Sequence, residues 1–159
     1  WQFPEKLIPL SIQKIINKKQ IPIYGNGLQI RDWLYVEDHI DALLLISERG
    51  KINEDYCIGG NSEITNIDLI KKISRIINKN STYKHSLDNL VSFVRDRPGH
   101  DKRYAIDFNK IRNHLGWEPK SNFDKSLEKT INWYLENQEW SEKVLEKAAY
   151  KTQRLGLIN

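Results

Sequence analysis

The stretch RDRPGHDKRY, residues 95–104, must lie at the surface, and the rest of this chain must fold within that constraint. Three Arg, one Lys, one His and two Asp occupy these ten residues, and such a composition cannot be buried in a hydrophobic core. Pro98 fixes its own φ and Gly99 accepts φ values that other residues avoid, so the pair predicts a sharp surface bend. The apolar runs on either side must then supply the core.

The charged bend has two interpretations. Arg side chains offer paired donors that match phosphate oxygens, so Arg groups gathered around a bend would suit a dianionic or diphosphate ligand. The alternative is a charged surface turn that is neutralised by its own Asp residues. Composition alone leaves both open.

Apolar spacing predicts the elements around the bend. Val91 and Phe93 indicate an extended segment before it, and residues 104–106 indicate another after it. Asp107 is typical of a helix cap, and Gly116 ends the helix that follows. Helical periodicity also predicts helices over residues 5–18, 37–48, 65–77 and 123–134, with Thr65 and Asp68 forming a capping box in the third of these.

Two further patterns predict β-structure. Residues 21–24 and 28–30 flank Gly25-Asn26-Gly27, which is a hairpin signal, and Pro22 would confine the first strand to a sheet edge. Residues 56–60 predict a short buried strand that ends in a Gly-Gly turn.

Some charged residues allow both a structural and a functional interpretation. Arg31 interrupts an apolar passage, so it either pairs with Asp32 or Glu37 or points into a ligand cleft. Glu37 and Asp38 resemble an acid/base pair, but carboxylates at a helix start also suit the positive end of the helix dipole, and we favour the structural interpretation. Lys6 lies where a helix N-terminus would face an anion, although a lone Lys there is more often only solvated.

Composition limits the class of protein. The chain has 159 residues, a net charge of +4 and a pI of about 9.1, which permits an anionic partner but is modest for a nucleic-acid binder. One cysteine, Cys57, excludes an internal disulfide and fits the cytoplasm. The sequence has no apolar run of membrane-spanning length, so we expect no membrane partner. It also contains no Met, which leads us to expect a piece of a longer protein.

Six stretches together resemble the dTDP-glucose 4,6-dehydratases, which belong to the extended short-chain dehydrogenase/reductases. Looser forms of some stretches occur in the nucleotide-sugar epimerases, whereas Asp-Arg-Pro-Gly-His-Asp followed by Arg-Tyr-Ala-Ile-Asp is more particular to the dehydratases. The stretches are residues 3–10, 24–27, 31–39, 58–60 with 65–66, 96–107 and 115–117.

The resemblance implies an α/β fold: a substrate-binding lobe with the last elements of a Rossmann-like sheet. Residues 1–140 would form a nucleotide-sugar-binding lobe, with elements at about 32–60 that dock onto a missing N-terminal Rossmann part, and residues 141–159 a charged tail. The resemblance also implies which residues contact a dTDP-sugar: Lys6, Leu7, Pro22, Ile23, Tyr24, Arg31, Asn66, Asp96, Arg97, Pro98, Gly99 and His100.

The family reaction is an internal redox cycle. NAD removes hydride from sugar C4, water is eliminated across C5 and C6, and the hydride returns to C6. That chemistry uses a Tyr-x-x-x-Lys pair, an acidic general acid and a Gly-x-x-Gly-x-x-Gly loop, and neither the pair nor the loop occurs in this sequence. We therefore expect a lobe without catalytic residues or metal that is inactive alone, from a parent that uses NAD and forms a homodimer. The alternatives are another nucleotide-sugar epimerase or decarboxylase, and a non-enzymatic basic binding module.

Overall fold

The computed structural model describes residues 2, 3 and 5–147. It is of the α/β class, as the resemblance implies. Its contacts divide the chain into two compact units: unit 1 is Trp1–Gln29, Thr65–Asp101 and Glu128–Asn159, and unit 2 is Ile30–Ile64 and Lys102–Leu127.

The described elements are a mixture of helices and short strands, and most helices lie where apolar spacing predicts them. In chain order they are α1 (Leu7–Ile16), β1 (Ile21–Tyr24), β2 (Ile30–Asp32), α2 (Val36–Arg49), β3 (Glu63–Thr65), α3 (Asn66–Asn80), α4 (Leu87–Leu90), β4 (Val91–Val94), β5 (Arg103–Tyr104), α5 (Asn109–Leu115), α6 (Phe123–Glu136) and α7 (Gln138–Lys147).

Unit 1 has its core along α3. Leu69, Ile70, Ile73 and Ile77 follow helical spacing and have no exposed surface, and α1 packs against this helix. The predicted cap is present, because Thr65 Oγ1 accepts a hydrogen bond from the Asp68 N–H at 3.2 Å.

Two parallel strands position the charged bend in unit 1. β1 pairs with β4 so that Tyr24 lies opposite Val94. Carboxyl ends of parallel strands lie at the same edge, so the chain leaves both strands side by side. Residues 25–29, here called the glycine turn, follow β1. Residues 95–100, here called the bend, follow β4.

The predicted β-hairpin is wrong. β1 pairs with β4, whereas β2 belongs to a three-stranded sheet of order β3-β2-β5. Gly25 and Gly27 do adopt the positive φ values of a tight turn, 58° and 73°. However, the carbonyl of Gly27 accepts from the Ile67 N–H and that of Gln29 from the Asn66 N–H, both at 3.0 Å. The start of α3 therefore holds the glycine turn, and the chain does not fold back onto β1.

Unit 2 surrounds a small buried cluster of Ala42, Ile111 and Trp117. Asp38 is buried at the start of α2, and its carboxylate accepts hydrogen bonds from the Lys120 and Ser121 N–H groups at 3.3 and 3.2 Å. These bonds agree with the structural interpretation of Asp38.

Residues 56–60 are not the predicted strand. The Asp32 carboxylate accepts hydrogen bonds from the N–H groups of Gly60 at 2.7 Å and Ser62 at 2.8 Å. The Gly60 N–H is therefore not available to pair with a neighbouring strand. A Cβ on Gly60 would lie 2.1 Å from the Trp33 carbonyl oxygen. The Gly-Gly pair thus allows close approach of backbone to backbone.

An unpredicted helix, α7, begins before the predicted tail and continues into it. α7 crosses residue 140, its Ser141 is buried, and the ring centroids of Trp140 and Trp133 are 5.2 Å apart. Residues 148–159 of that tail lie outside the described residues. Within the described ranges, no helix combines the length and the apolar character needed to cross a bilayer.

Candidate functional site

The bend lies at the edge of unit 1 where β4 ends. Asp96, Arg97, Pro98 and Gly99 are exposed, and Gly99 adopts a φ of 65°, so the predicted sharp turn is present. A Cβ on Gly99 would meet no atom within 4 Å. The tip of the bend therefore faces open space that a ligand could fill.

Asp96 is the hub of the bend. Its Oδ1 accepts from the Arg97 N–H at 2.9 Å and lies 2.6 Å from His100 Nδ1, while its Oδ2 accepts from Gln29 Nε2 at 2.9 Å. The His100 hydrogen bond, more than any other contact, holds the pKa of the Asp96 carboxyl below its ordinary value. Both oxygens are engaged within the protein, so Asp96 organises the bend by these bonds.

His100 links the bend to the end of β1. Its side chain is only 5% exposed, and its ring meets the Tyr24 ring edge-on with centroids 5.9 Å apart. The structure thus brings together Tyr24, Asp96 and His100, three of the predicted site residues.

Asn66 begins α3 next to the glycine turn. Its N–H is used by the Gln29 carbonyl, but its Oδ1 is buried and has no hydrogen-bond partner among the described residues. The Gln29 Oε1 is likewise buried and without a hydrogen-bond partner among the described residues. A buried acceptor without a donor costs about 1–3 kcal/mol, so each would gain from a hydroxyl or N–H of a bound molecule.

At the N-terminus of α1, the predicted cation is paired with a neighbouring carboxylate. Lys6 precedes α1 and pairs with Glu5 at 2.7 Å, and Leu7 is the first helical residue. The helix N-terminus is where the sequence predicts it, and Glu5 partly neutralises the cation there.

Within β1 the predicted contact residues alternate. Ile23 is a core residue at 3% exposure, whereas Pro22 and Tyr24 are half-buried on the other face of the strand. The side chains of Pro22 and Tyr24 are therefore better placed than that of Ile23 to line a ligand.

Arg31 belongs to unit 2, whereas the other predicted site residues belong to unit 1. Its guanidinium lies 4.6 Å from the centre of the Tyr104 ring and donates to the Ile30 carbonyl at 2.6 Å.

The cations of the charged stretch are divided between the two units. Arg103 also lies in unit 2, where it forms two hydrogen bonds to Glu63 at 2.6 and 2.7 Å. The sequence-based picture of three gathered Arg groups therefore reduces, in unit 1, to Arg95 and Arg97.

Gln29 is a site residue that sequence reasoning missed. It is 6% exposed and reaches Asp96 across 67 positions of sequence. The available signal was a polar residue between Leu28 and Ile30, in a segment that we interpreted as a strand.

The described residues do not fit a dinucleotide site. Gly25 and Gly27 follow a strand, but they lead into β2 and not into a helix whose N-terminus could face a pyrophosphate. No group of three or more His, Cys, Asp or Glu side chains in the described ranges could hold a metal ion.

Comparison with known proteins places this geometry in context. Residues 1–130 match the family model described as GDP-mannose 4,6 dehydratase. A dTDP-glucose 4,6-dehydratase from Escherichia coli is 49% identical over 162 residues, which cover 99% of this chain and 44% of that protein. The chain therefore spans less than half the length of such curated relatives.

Solved structures give the same picture. The dTDP-glucose 4,6-dehydratase of Streptomyces venezuelae, with NAD and TYD bound, matches with a TM-score of 0.83 and 35% identity over 91% of this chain and 42% of that one. A UDP-glucose 4-epimerase from Thermotoga maritima, with UDP-glucose, matches with a TM-score of 0.70 and 25% identity over 84% and 40%. These matches bear out the fold expected of an extended short-chain dehydrogenase/reductase.

Proposed function

This chain belongs to the GDP-mannose 4,6-dehydratase family, and we propose that it is the substrate-binding part of a dTDP-glucose 4,6-dehydratase. The parent would convert dTDP-glucose to dTDP-4-keto-6-deoxyglucose and water. The observation that carries the proposal is the bend held by Asp96 and His100 beside the end of β1, in a chain 49% identical to such an enzyme.

The proposal gives each part of unit 1 a role. Arg97 on the exposed bend would bind the diphosphate, since a guanidinium donates to two phosphate oxygens at once. Pro22 and Tyr24, at the end of β1, would line the thymine, and Asn66 would donate to or accept from the nucleotide. Lys6 and Leu7 at the start of α1 and the backbone of Ile23 would complete the contacts.

Arg31 is assigned to the same ligand by resemblance. Its contact with Tyr104 holds the guanidinium against an aromatic ring within unit 2. Its role stays a prediction, which substitution by Ala in the whole enzyme would test.

NAD chemistry is assigned to the part of the parent that this chain lacks. When bound there, NAD would supply the oxidation and the return of hydride, and this chain would only bind and orient the dTDP-sugar. The lack of a Tyr-x-x-x-Lys pair supports this division of roles. We accordingly expect the isolated chain to leave dTDP-glucose unchanged, whether or not NAD is added.

The N-terminal Rossmann part is the partner that we propose for unit 2. Apolar side chains line one face of α2 at helical spacing and remain exposed: Val36, Ile40, Leu43 and Leu44. Such a face would be covered by the docked partner, within a cytoplasmic enzyme that forms a homodimer.

The test joins the chain to the N-terminal part of the E. coli relative and supplies NAD and dTDP-glucose. Mass spectrometry of the sugar nucleotide should reveal the loss of one water. An unchanged mass with inverted sugar stereochemistry would indicate an epimerase. In a parallel assay with a nucleotide-linked uronic acid in place of dTDP-glucose, loss of CO₂ would indicate a decarboxylase. Either result would replace the proposal.

A further inference from the structure

The side chain of Gln29 is fixed before any ligand binds. It is 6% exposed, and its Nε2 donates to Asp96 Oδ2 at 2.9 Å. A carboxylate can only accept, so the amide nitrogen and not the oxygen must face Asp96. At its backbone, the Gln29 carbonyl accepts from the Asn66 N–H at 3.0 Å. Gln29 is thus anchored to the start of α3.

The hydrogen bond from Gln29 also fixes the orientation of the Asp96 carboxylate, which in turn contacts the rest of the bend. With Oδ2 held by Gln29, its Oδ1 is directed at the Arg97 N–H, 2.9 Å away, and at His100 Nδ1, 2.6 Å away. The His100 ring then meets Tyr24 edge-on. The contacts run in one series from the glycine turn to both ends of the bend.

The two segments also leave little space between them. A Cβ on Gly25 would lie 2.8 Å from Asp96 Oδ2, and the Gly25 N–H donates to the Val94 carbonyl at 2.9 Å. The Asp96 carboxylate therefore fits against the glycine turn, and Gln29 closes its other side.

We propose that Gln29 is a positioning residue for nucleotide binding: it sets the conformation of the bend through Asp96 without itself touching the diphosphate. The inference rests on the proposed function. An exposed Pro-Gly bend would otherwise sample several conformations, and a ligand that binds only one of them pays for that selection in affinity.

The test compares variants of the 159-residue chain by calorimetric titration with dTDP. Gln29→Met keeps an unbranched side chain of similar length and removes the donor, and we expect about tenfold weaker binding. Gln29→Glu keeps the shape but places a carboxylate against Asp96, so it should weaken binding further. If the Gln29 side chain only fills space, Gln29→Met should bind dTDP as tightly as the unsubstituted chain, and that result would contradict the proposal.

Gln13→Met is the matched control. Gln13 is buried in the same unit, and its Nε2 has no hydrogen-bond partner among the described residues. Its replacement should leave dTDP affinity unchanged.

Hydrogen exchange of the Arg97 amide gives a readout that does not need ligand. Gln29→Met should speed this exchange about tenfold, since the carboxylate that accepts the Arg97 N–H loses its anchor. Unchanged exchange and unchanged affinity would overturn the inference. If the unsubstituted chain failed to bind dTDP, the proposed function would fail, and the exchange experiment would still decide whether Gln29 positions the bend.

Discussion

Gln29 Nε2 and Asp96 Oδ2 lie 2.9 Å apart, although 67 positions of sequence separate the two residues. This bond joins the turn after β1 to the bend after β4. Parallel pairing of the two strands places these segments at one edge, and the buried amide then fixes the carboxylate.

Gly25 should tolerate no side chain. Its φ of 58° costs a non-glycine residue about 1–2 kcal/mol, and a Cβ would also press on Asp96. We expect Gly25→Ala to lower the urea midpoint of unfolding and to weaken dTDP binding. Gly99→Ala is the control, because Gly99 has a similar φ of 65° but no neighbour within 4 Å. An equal loss of stability in both variants would contradict a close fit between Gly25 and Asp96.

Asp96 should titrate below its ordinary pKa of 3.8, chiefly because of its hydrogen bond to His100. The unfolded chain then binds this proton more readily than the folded chain. The contribution to stability is therefore present above the ordinary value and is lost as the pH falls through the lower folded pKa.

The Asp96 pKa can be read from the NMR shift of its side-chain carboxyl carbon. His100→Ala should move the midpoint upward, toward 3.8. His114→Ala, in unit 2, should leave it in place. A midpoint that does not respond to loss of His100 would refute the assigned cause.

The exposed face of α2 should make the isolated chain self-associate. Ile40→Lys combined with Leu44→Lys should reduce the mass seen by light scattering without lowering the urea midpoint, since both side chains are about half exposed. Ala42→Lys should instead unfold the chain, because Ala42 is fully buried. If the double variant associated as the unsubstituted chain does, this face would not be the contact surface.

Local rules predicted the elements that depend on local signals. Gly116 ends α5 in the left-handed conformation, as C-terminal glycines do, and Thr65 caps α3. The predicted hairpin does not form, because the carbonyls of Gly27 and Gln29 accept hydrogen bonds from N–H groups of α3, which comes some forty residues later. No local signal reports such a contact.

In the candidate site, too, the features set by local sequence were predictable and those set by long-range contacts were not. The charged composition and the Pro-Gly pair were enough to predict the bend. Its organisation was not predictable, because Gln29 acts through a contact across 67 positions. The Arg103–Glu63 pair, which occupies the third Arg of the charged stretch within unit 2, also joins residues far apart in sequence.

Calorimetric titration of dTDP into the 159-residue chain tests the central claim most directly. The chain should bind dTDP saturably, and Arg97→Ala should weaken binding about 10- to 100-fold, the range for a lost charge-assisted hydrogen bond. Arg112→Ala removes the same charge from unit 2 and should change nothing. A folded chain that does not bind dTDP, or that binds it equally well without Arg97, would contradict a diphosphate site on the bend.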